Sequence, residues 1–115
     1  MGKLKINRGT TYTLTYNHKV DGVATTLVGA TVRFTLKSVE WDTDANDNTA
    51  SVTKDITNGN SSGEATITLT PTDTYKTPGK YYYDIKVDVN SDGVTIYKMD
   101  EGTVVLDGSP TNRIS

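Results

Sequence analysis

Hydrophobic and polar residues alternate along several stretches of this chain, and the alternation predicts β-strands. Residues 11–17, TYTLTYN, place Tyr12, Leu14 and Tyr16 on one face and threonines on the other. A period of two is typical of a half-buried strand, because successive side chains point to opposite sides of a sheet. The same pattern returns in residues 31–38, TVRFTLKS, and is longest in residues 80–90, KYYYDIKVDVN.

Turn residues separate the alternating stretches. Asp21-Gly22 and Asp92-Gly93 are tight-turn signals, because both residue types tolerate positive φ. Residues 51–57 and 64–70 also alternate, and the Asn- and Gly-rich stretch between them predicts that they form a hairpin. The stretch 71–79 does not alternate.

Two single residues carry further local predictions. Thr72 is expected to cap one short helical turn, because threonine side chains accept hydrogen bonds from the first backbone N–H groups of a helix. Gly102 interrupts the last alternating segment, which favours a bulge or bend at that position.

The pattern as a whole predicts an all-β fold. About seven strands with turn signals every 8 to 12 residues indicate a single antiparallel β-sandwich. Abundant threonine supports this, since β-branched residues pack well on a pleated surface. We expect one domain over residues 1–115, with its core in about 7–107 and polar arms at 1–6 and 108–115.

Three consecutive tyrosines divide by parity. Tyr81 and Tyr83 share a face with Ile85, Val87 and Val89, so they are predicted to lie in the core. Tyr82 shares the other face with charged residues and is predicted to point outward, where an aromatic side chain is a candidate for an interface.

Charge and composition narrow the classes of partner. The formal net charge is −2, and lysines are interspersed with acids without a basic block, so no nucleic-acid partner is predicted. No apolar run approaches the roughly 20 residues of a membrane helix, so no membrane partner is predicted. The N-terminal sequence MGKLKINRG lacks the apolar core of a signal peptide. The chain contains no cysteine, which excludes disulfides.

Candidate chemistry is sparse. Asp42, Asp44 and Asn46 place oxygen ligands at alternate positions, which makes them weak candidates for a calcium site, although the spacing fails the EF-hand pattern. His18 is the only histidine; it lies beside Lys19 and a turn and is expected to be exposed and inert. No pair of carboxylates and no glycine-rich phosphate loop stands out, so neither a cofactor nor enzyme activity is predicted.

The remaining candidates concern protein contacts. Trp41 and Tyr97 join Tyr82 as aromatic residues outside the predicted core. The N-terminal arm carries Lys3 and Lys5, and an arm of this kind can add a strand to the sheet edge of a partner.

The order of these segments resembles a known family. Gly29-Ala30 leads into a Val-Arg-Phe strand, a glycine-led strand rich in threonine follows at 63–70, and a short Asp-Thr turn lies at 73–74. A strand of the type Pro-Gly-x-Tyr-x-Tyr-Asp comes next, at 78–84. Over residues 7 to 107 the chain is similar to the immunoglobulin-like β-sandwich module of tailed-phage structural proteins. It is similar to the N-terminal domain of phage baseplate upper proteins.

The resemblance implies a non-enzymatic structural role in a bacteriophage virion, after synthesis in the host cytoplasm. Such modules act as tail or baseplate adaptors, in several symmetric copies, through contacts with tail, baseplate, neck or capsid proteins. Capsid decoration is an alternative within the same particle. A carbohydrate-binding or adhesive module and an accessory domain of an enzyme are alternatives of other classes, because one fold hosts many functions.

Overall fold

The computed structural model describes residues 2–38 and 51–108, and this part of the chain is mostly β-structure. The predicted all-β class is therefore confirmed. The elements in chain order are β1 (Gly2–Asn7), β2 (Tyr12–Asn17), β3 (Lys19–Val20), β4 (Val23–Ala24), β5 (Thr31–Lys37), β6 (Val52–Ile56), β7 (Glu64–Leu69), α1 (Pro71–Thr74), β8 (Gly79–Asp88) and β9 (Ile96–Asp107).

The strands form one large sheet and two small ones. The large sheet has five strands in the order β1-β9-β8-β5-β6, while β2 pairs with β7 and β3 pairs with β4. Every pair is antiparallel except β1–β9, which is parallel. The prediction of a wholly antiparallel arrangement is wrong for this pair.

The predicted N-terminal arm is the reason for that difference. Residues 2–7 form β1, in which Leu4 lies opposite Val104 and Ile6 opposite Leu106. Ile6 is buried and Leu4 packs against the core, while Lys3 and Lys5 on the alternate positions are exposed. The segment alternates like the other strands, but two lysines gave it the appearance of a polar arm. Residues 109–115 of the predicted C-terminal arm lie outside the described residues.

One hydrophobic core lies between the five-stranded sheet and the β2–β7 sheet. Parity places the residues as predicted on most strands: Tyr81 and Tyr83 are 8% and 5% exposed, whereas Val89 is 37% exposed beyond the end of β8. The buried apolar residues are Ile6, Tyr16, Leu27, Ala30, Val32, Phe34, Leu36, Val52, Ala65, Ile67, Leu69, Tyr81, Tyr83, Ile85, Val87, Val104 and Leu106.

The predicted hairpin of residues 51–57 and 64–70 is wrong. Strand β6 pairs with β5 in the large sheet, whereas β7 pairs with β2, so the connection between them crosses from one sheet to the other. Gly63 has φ of 82°, and a Cβ there would lie 2.5 Å from the carbonyl oxygen of Thr25. Its backbone oxygen also accepts a hydrogen bond from the His18 N–H at 2.7 Å. The glycine therefore serves a close crossing of segments and not a hairpin turn.

The local predictions are met in part. Asp21 and Gly22 have positive φ between β3 and β4, and antiparallel β8 and β9 are joined through Gly93, as expected for both turns. The bulge in β9 lies at Met99, because Ile85 faces Asp100 and Lys86 faces Lys98. Gly102 stays in register opposite Tyr83, so the bulge predicted there is misplaced.

The short helix α1 is capped by Thr70 and not by Thr72. The Asp73 N–H donates to Thr70 Oγ1 at 3.2 Å, and the Thr70 N–H donates to Asp73 Oδ2 at 2.8 Å, which completes a capping box. Lys54 Nζ lies 2.7 Å from the same carboxylate. Burial alone would raise the pKa of Asp73, but the hydrogen bonds from Lys54 and Thr70 and the lysine charge lower it.

Candidate interaction surface

Tyr82, the interface candidate predicted from the alternation of residues 80–90, lies on the outward face of β8. Tyr82 is half-buried, and Lys80 Nζ lies 5.3 Å from the centroid of its ring. Cation–aromatic contacts of this length are attractive because the ring face carries partial negative charge. The tyrosine is therefore held on the outer side of the five-stranded sheet with a lysine beside it.

The sheet register places further residues around Tyr82. Thr103 of β9 lies opposite Tyr82 on one side, and Lys37 of β5 lies opposite it on the other. Residues that face each other across neighbouring strands share one face of the sheet. The row through Tyr82 therefore continues from β5 across β8 to β9 on the outer face.

The predicted candidates Lys3 and Lys5 belong to the same face. Lys3 lies opposite Thr103, so it extends the row of Tyr82 by one strand. Lys5 lies opposite Val105, which in turn lies opposite Lys80 in the adjacent row. Lys5 Nζ is 3.3 Å from Asp107 Oδ2, an ion pair in which both side chains are exposed and which therefore contributes little stability.

These residues define the outer patch: Lys3, Lys5, Lys37, Lys80, Tyr82, Thr103 and Val105. Four of the 12 basic residues of the chain lie in it. The sequence shows no basic block because its lysines are far apart along the chain, from residue 3 to residue 80, and only strand pairing brings them together. The signal could have been found from the parity of each strand once the strand order was known.

The remaining interface candidates do not join the outer patch. Tyr97 lies opposite Val87, whose side chain faces the core, so the register places Tyr97 on the other side of the sheet. It is 56% exposed, beside the hairpin in which Val94 is 80% exposed. Trp41 and the calcium candidates Asp42, Asp44 and Asn46 fall outside the described residues.

The sequence interpretation placed one polar group of the inner side incorrectly. His18 is 5% exposed, and its Nδ1 lies 2.9 Å from the Tyr16 hydroxyl, so the histidine is buried and hydrogen-bonded instead of exposed. The reason is the backbone: the His18 N–H donates to Gly63 and its oxygen accepts from Thr25. Burial lowers the pKa of His18, which favours the neutral ring.

Asp100 and Tyr16 line a shallow cleft of about 280 Å³ between β2 and the β8–β9 pair. The bulge at Met99 turns Asp100 to the side of Ile85. Burial, with the negative charge of Asp100, raises the pKa of Tyr16 to about 12. The pKa of Tyr83 is also raised, by burial first and then by the charges of Asp100 and Tyr12 and a hydrogen bond with Asp100. These tyrosines are thus neutral hydrogen-bonding groups at neutral pH.

The outer face also contains an ion pair between a partly exposed arginine and a buried aspartate, which parity could not reveal. Asp88 is fully buried although its neighbours on that face are exposed, and its Oδ2 accepts from Arg33 Nη2 at 3.2 Å and from the Gly93 N–H at 2.8 Å. Among the described residues, Arg33 Nε and Asp88 Oδ1 are buried without a hydrogen-bond partner, so the pair is not bidentate. The contacts tie the β8–β9 turn to β5.

Within residues 2–38 and 51–108, no group of three or more His, Asp or Glu side chains is arranged to hold a metal ion. In the same part of the chain, none of the helices has the length and apolar character needed to cross a membrane. In comparisons with known proteins, no protein-family model matches the chain and no curated protein matches its sequence.

Proposed function

We propose that this chain is a non-enzymatic structural component of a tailed-bacteriophage virion. In this proposal an immunoglobulin-like β-sandwich acts as a tail or baseplate adaptor and binds other virion proteins. The outer patch is the surface through which it binds, and several symmetric copies are present in one particle. The proposal rests on the order of motifs along the sequence and on this surface.

The strand order supports the immunoglobulin-like part of the proposal. In that fold the strands named C, F and G form one sheet, and B pairs with E in the other. Strands β5, β8 and β9 are adjacent in this way in the large sheet, and β2 pairs with β7. The Pro78-Gly79 turn and the tyrosine strand of the resemblance correspond to β8, at the centre of the large sheet.

The single observation that carries the functional part is the position of Tyr82. An aromatic ring on the central strand, with lysines on three strands and Asp84, Glu101 and Asp107 on the same face, offers apolar contact area within a rim of mixed charge. Aromatic residues are enriched at protein interfaces, and complementary charge around them selects the partner. A partner surface with an apolar centre and charges complementary to this mixed rim fits the arrangement.

Mass spectrometry of purified particles tests the proposal. Particles of the phage that encodes the chain are purified through two density gradients, and each protein is quantified. We expect the chain at a constant ratio to the major virion proteins in both gradients. Its absence from infectious particles would overturn the proposal.

A cryo-EM reconstruction of the same particles then gives the position. Density for the module on the tail or baseplate supports the adaptor role, whereas density on the capsid surface supports decoration.

The carbohydrate-binding alternative needs exposed aromatic side chains grouped on one face. Tyr82 and Tyr97 lie on opposite sides of the sheet, and Tyr75 lies under Arg8, whose Cζ is 4.1 Å from the ring centroid. A glycan array with strong binding would favour that alternative over ours.

A further inference from the structure

The two edges of the five-stranded sheet are complementary to each other. Strand β1 is one edge and β6 is the other, and neither has a second neighbour among the described strands. We propose that β1 of one copy pairs with β6 of a second copy, so that the sheet continues from chain to chain. The occupant of each edge is thus the opposite edge of the same protein. This inference rests on the sheet geometry and stands whether or not the protein is a virion component.

The strand directions suit this pairing. Strand β1 is parallel to β9, which is antiparallel to β8, while β6 and β8 are both antiparallel to β5. Strands β1 and β6 therefore run in opposite directions within one chain. When a second copy is placed beside the first in the same orientation, its β6 is antiparallel to β1, which is the slightly more stable arrangement per residue.

One register pairs opposite charges on the outer face of the joined edges and two apolar residues on the inner face, where it also places Ile6 opposite Lys54. Lys5 is exposed on the outer face of β1, and Asp55, which lies opposite Arg33, is exposed on the outer face of β6. With Lys5 opposite Asp55, antiparallel counting places Leu4 opposite Ile56 on the inner face. Leu4 and Ile56 are both only partly buried apolar residues that pack against the core from the two edges. The pairing therefore covers an apolar residue at each edge and places opposite charges together.

Pairing of two β1 edges is less favourable. Two β1 strands would bring Lys3 and Lys5 of both copies onto one face, and like charges across neighbouring strands are destabilising. The favoured contact is thus head-to-tail, and a head-to-tail contact generates a ring when its rotation closes and a filament when it does not. Five or six residues form a short edge, so we expect weak association of the free chain that is strengthened where copies are held close together.

Disulfide trapping tests the register directly, because the chain has no cysteine of its own. Chains carrying Lys5→Cys are mixed with chains carrying Asp55→Cys under mild oxidation. We expect a covalent dimer of unlike chains in this mixture and little dimer from either variant alone. Lys3→Cys is the matched control, since a residue displaced by two positions lies about 7–8 Å away diagonally and should couple with Asp55→Cys more slowly. Equal coupling in all mixtures would overturn the proposal.

Sedimentation of the cysteine-free chain supplies the second measurement. We expect the mean mass to rise with concentration, and Asp55→Lys or Lys5→Glu to weaken the association about tenfold. The double variant Lys5→Glu/Asp55→Lys should restore it. Lys19→Glu, on the exposed hairpin of β3 and β4, is the charge-matched control and should associate like the wild type. A monomer at every concentration, or equal effects of Lys19→Glu and Lys5→Glu, would refute edge pairing.

If the chain associates in this way but is absent from particles, the proposed virion function fails and the edge pairing remains. If it is present in particles but neither traps nor associates, the edge pairing alone fails.

Discussion

Strand β8 has two faces that differ in burial although they alternate within one ten-residue segment. The inward face consists of Tyr81, Tyr83, Ile85 and Val87, all buried, and Tyr83 stacks on Phe34 with ring centroids 5.9 Å apart. The outward face carries Lys80, Tyr82, Asp84 and Lys86, which are exposed or half-buried.

Residue type alone does not assign a role to a tyrosine in this chain. Tyr82 and Tyr83 are neighbours of the same type, yet one contacts a lysine at the surface and the other fills the space between two sheets. Inward residues should therefore determine stability, and outward residues should determine what the protein binds.

The largest expected effect is on the inward face. Phe34→Ala removes a ring that is 1% exposed and leaves a cavity against Tyr83, so we expect a loss of about 3–5 kcal/mol in the free energy of unfolding. Thr35→Ala, the next residue on the outward face of the same strand, is the control and should cost less than about 1 kcal/mol. Urea denaturation of both variants measures the difference. Similar losses in the two variants would contradict the assignment of faces.

A second prediction concerns Asp88, which is buried although it belongs to the outward face of β8. Asp88→Asn weakens the hydrogen bonds with Arg33 and with the Gly93 N–H, and we expect a loss of about 2 kcal/mol because the buried acceptor loses its charge. Asp92→Asn in the adjacent turn changes the same charge at an exposed side chain and should have little effect. Thermal unfolding measures the difference in stability between the two variants. If Asp88→Asn unfolds at the same temperature as the wild type, the buried carboxylate of Asp88 does not stabilise the fold.

The pH dependence of stability tests the inward polar groups. The folded protein disfavours protonation of His18, so the unfolded chain binds more protons below pH 6.5, and the free energy of unfolding should fall as pH drops through that value. Tyr16 keeps its proton up to about pH 12 when folded but loses it near pH 10 when unfolded, so stability should also fall as pH rises through 10. His18→Gln should reduce the loss of stability at acid pH, and Tyr16→Phe should reduce the loss at alkaline pH. If the pH dependence of the unfolding free energy is the same in both variants as in the wild type, the burial of these two residues is contradicted.

The smallest effect on stability is expected at Tyr82. Tyr82→Ala removes a half-buried ring and one exposed cation–aromatic contact, so the free energy of unfolding should fall by less than about 1 kcal/mol. Tyr83→Ala is the matched control and should cost several times more. Urea denaturation of Tyr82→Ala and Tyr83→Ala measures the difference between these two neighbouring residues. Equal losses in the free energy of unfolding would contradict the assignment of the two faces.

The strands were predictable from sequence because burial of one face leaves a period-two pattern that is read locally. Tyr81, Phe34 and Ile67 all lie on the predicted faces. The pairing of β6 with β5 instead of β7 was not predictable in this way, since it depends on contacts distant in sequence and the glycine that links the segments also resembles a turn residue.

The candidate site shows the same division. Parity correctly separated Tyr82 from its neighbours, but the lysines around it converge only through the pairing of β1, β9, β8 and β5. His18 is buried where its backbone bonds with Gly63 and Thr25, and Asp88 where its carboxylate accepts from Arg33 and Gly93. Such contacts leave no periodic trace in the sequence.

The most direct test of the account measures incorporation into particles. A phage lacking the gene for this chain is complemented with the wild type, with Lys3→Glu/Tyr82→Ala, or with Lys19→Glu/Val23→Ala, a control with the same charge change on the exposed hairpin of β3 and β4. Each protein is shown by thermal unfolding to be folded, and its copies per particle are counted by mass spectrometry. The account predicts wild-type copy number for the control and loss of the outer-patch variant from particles. Equal incorporation of both variants, or no incorporation of the wild type, would contradict it.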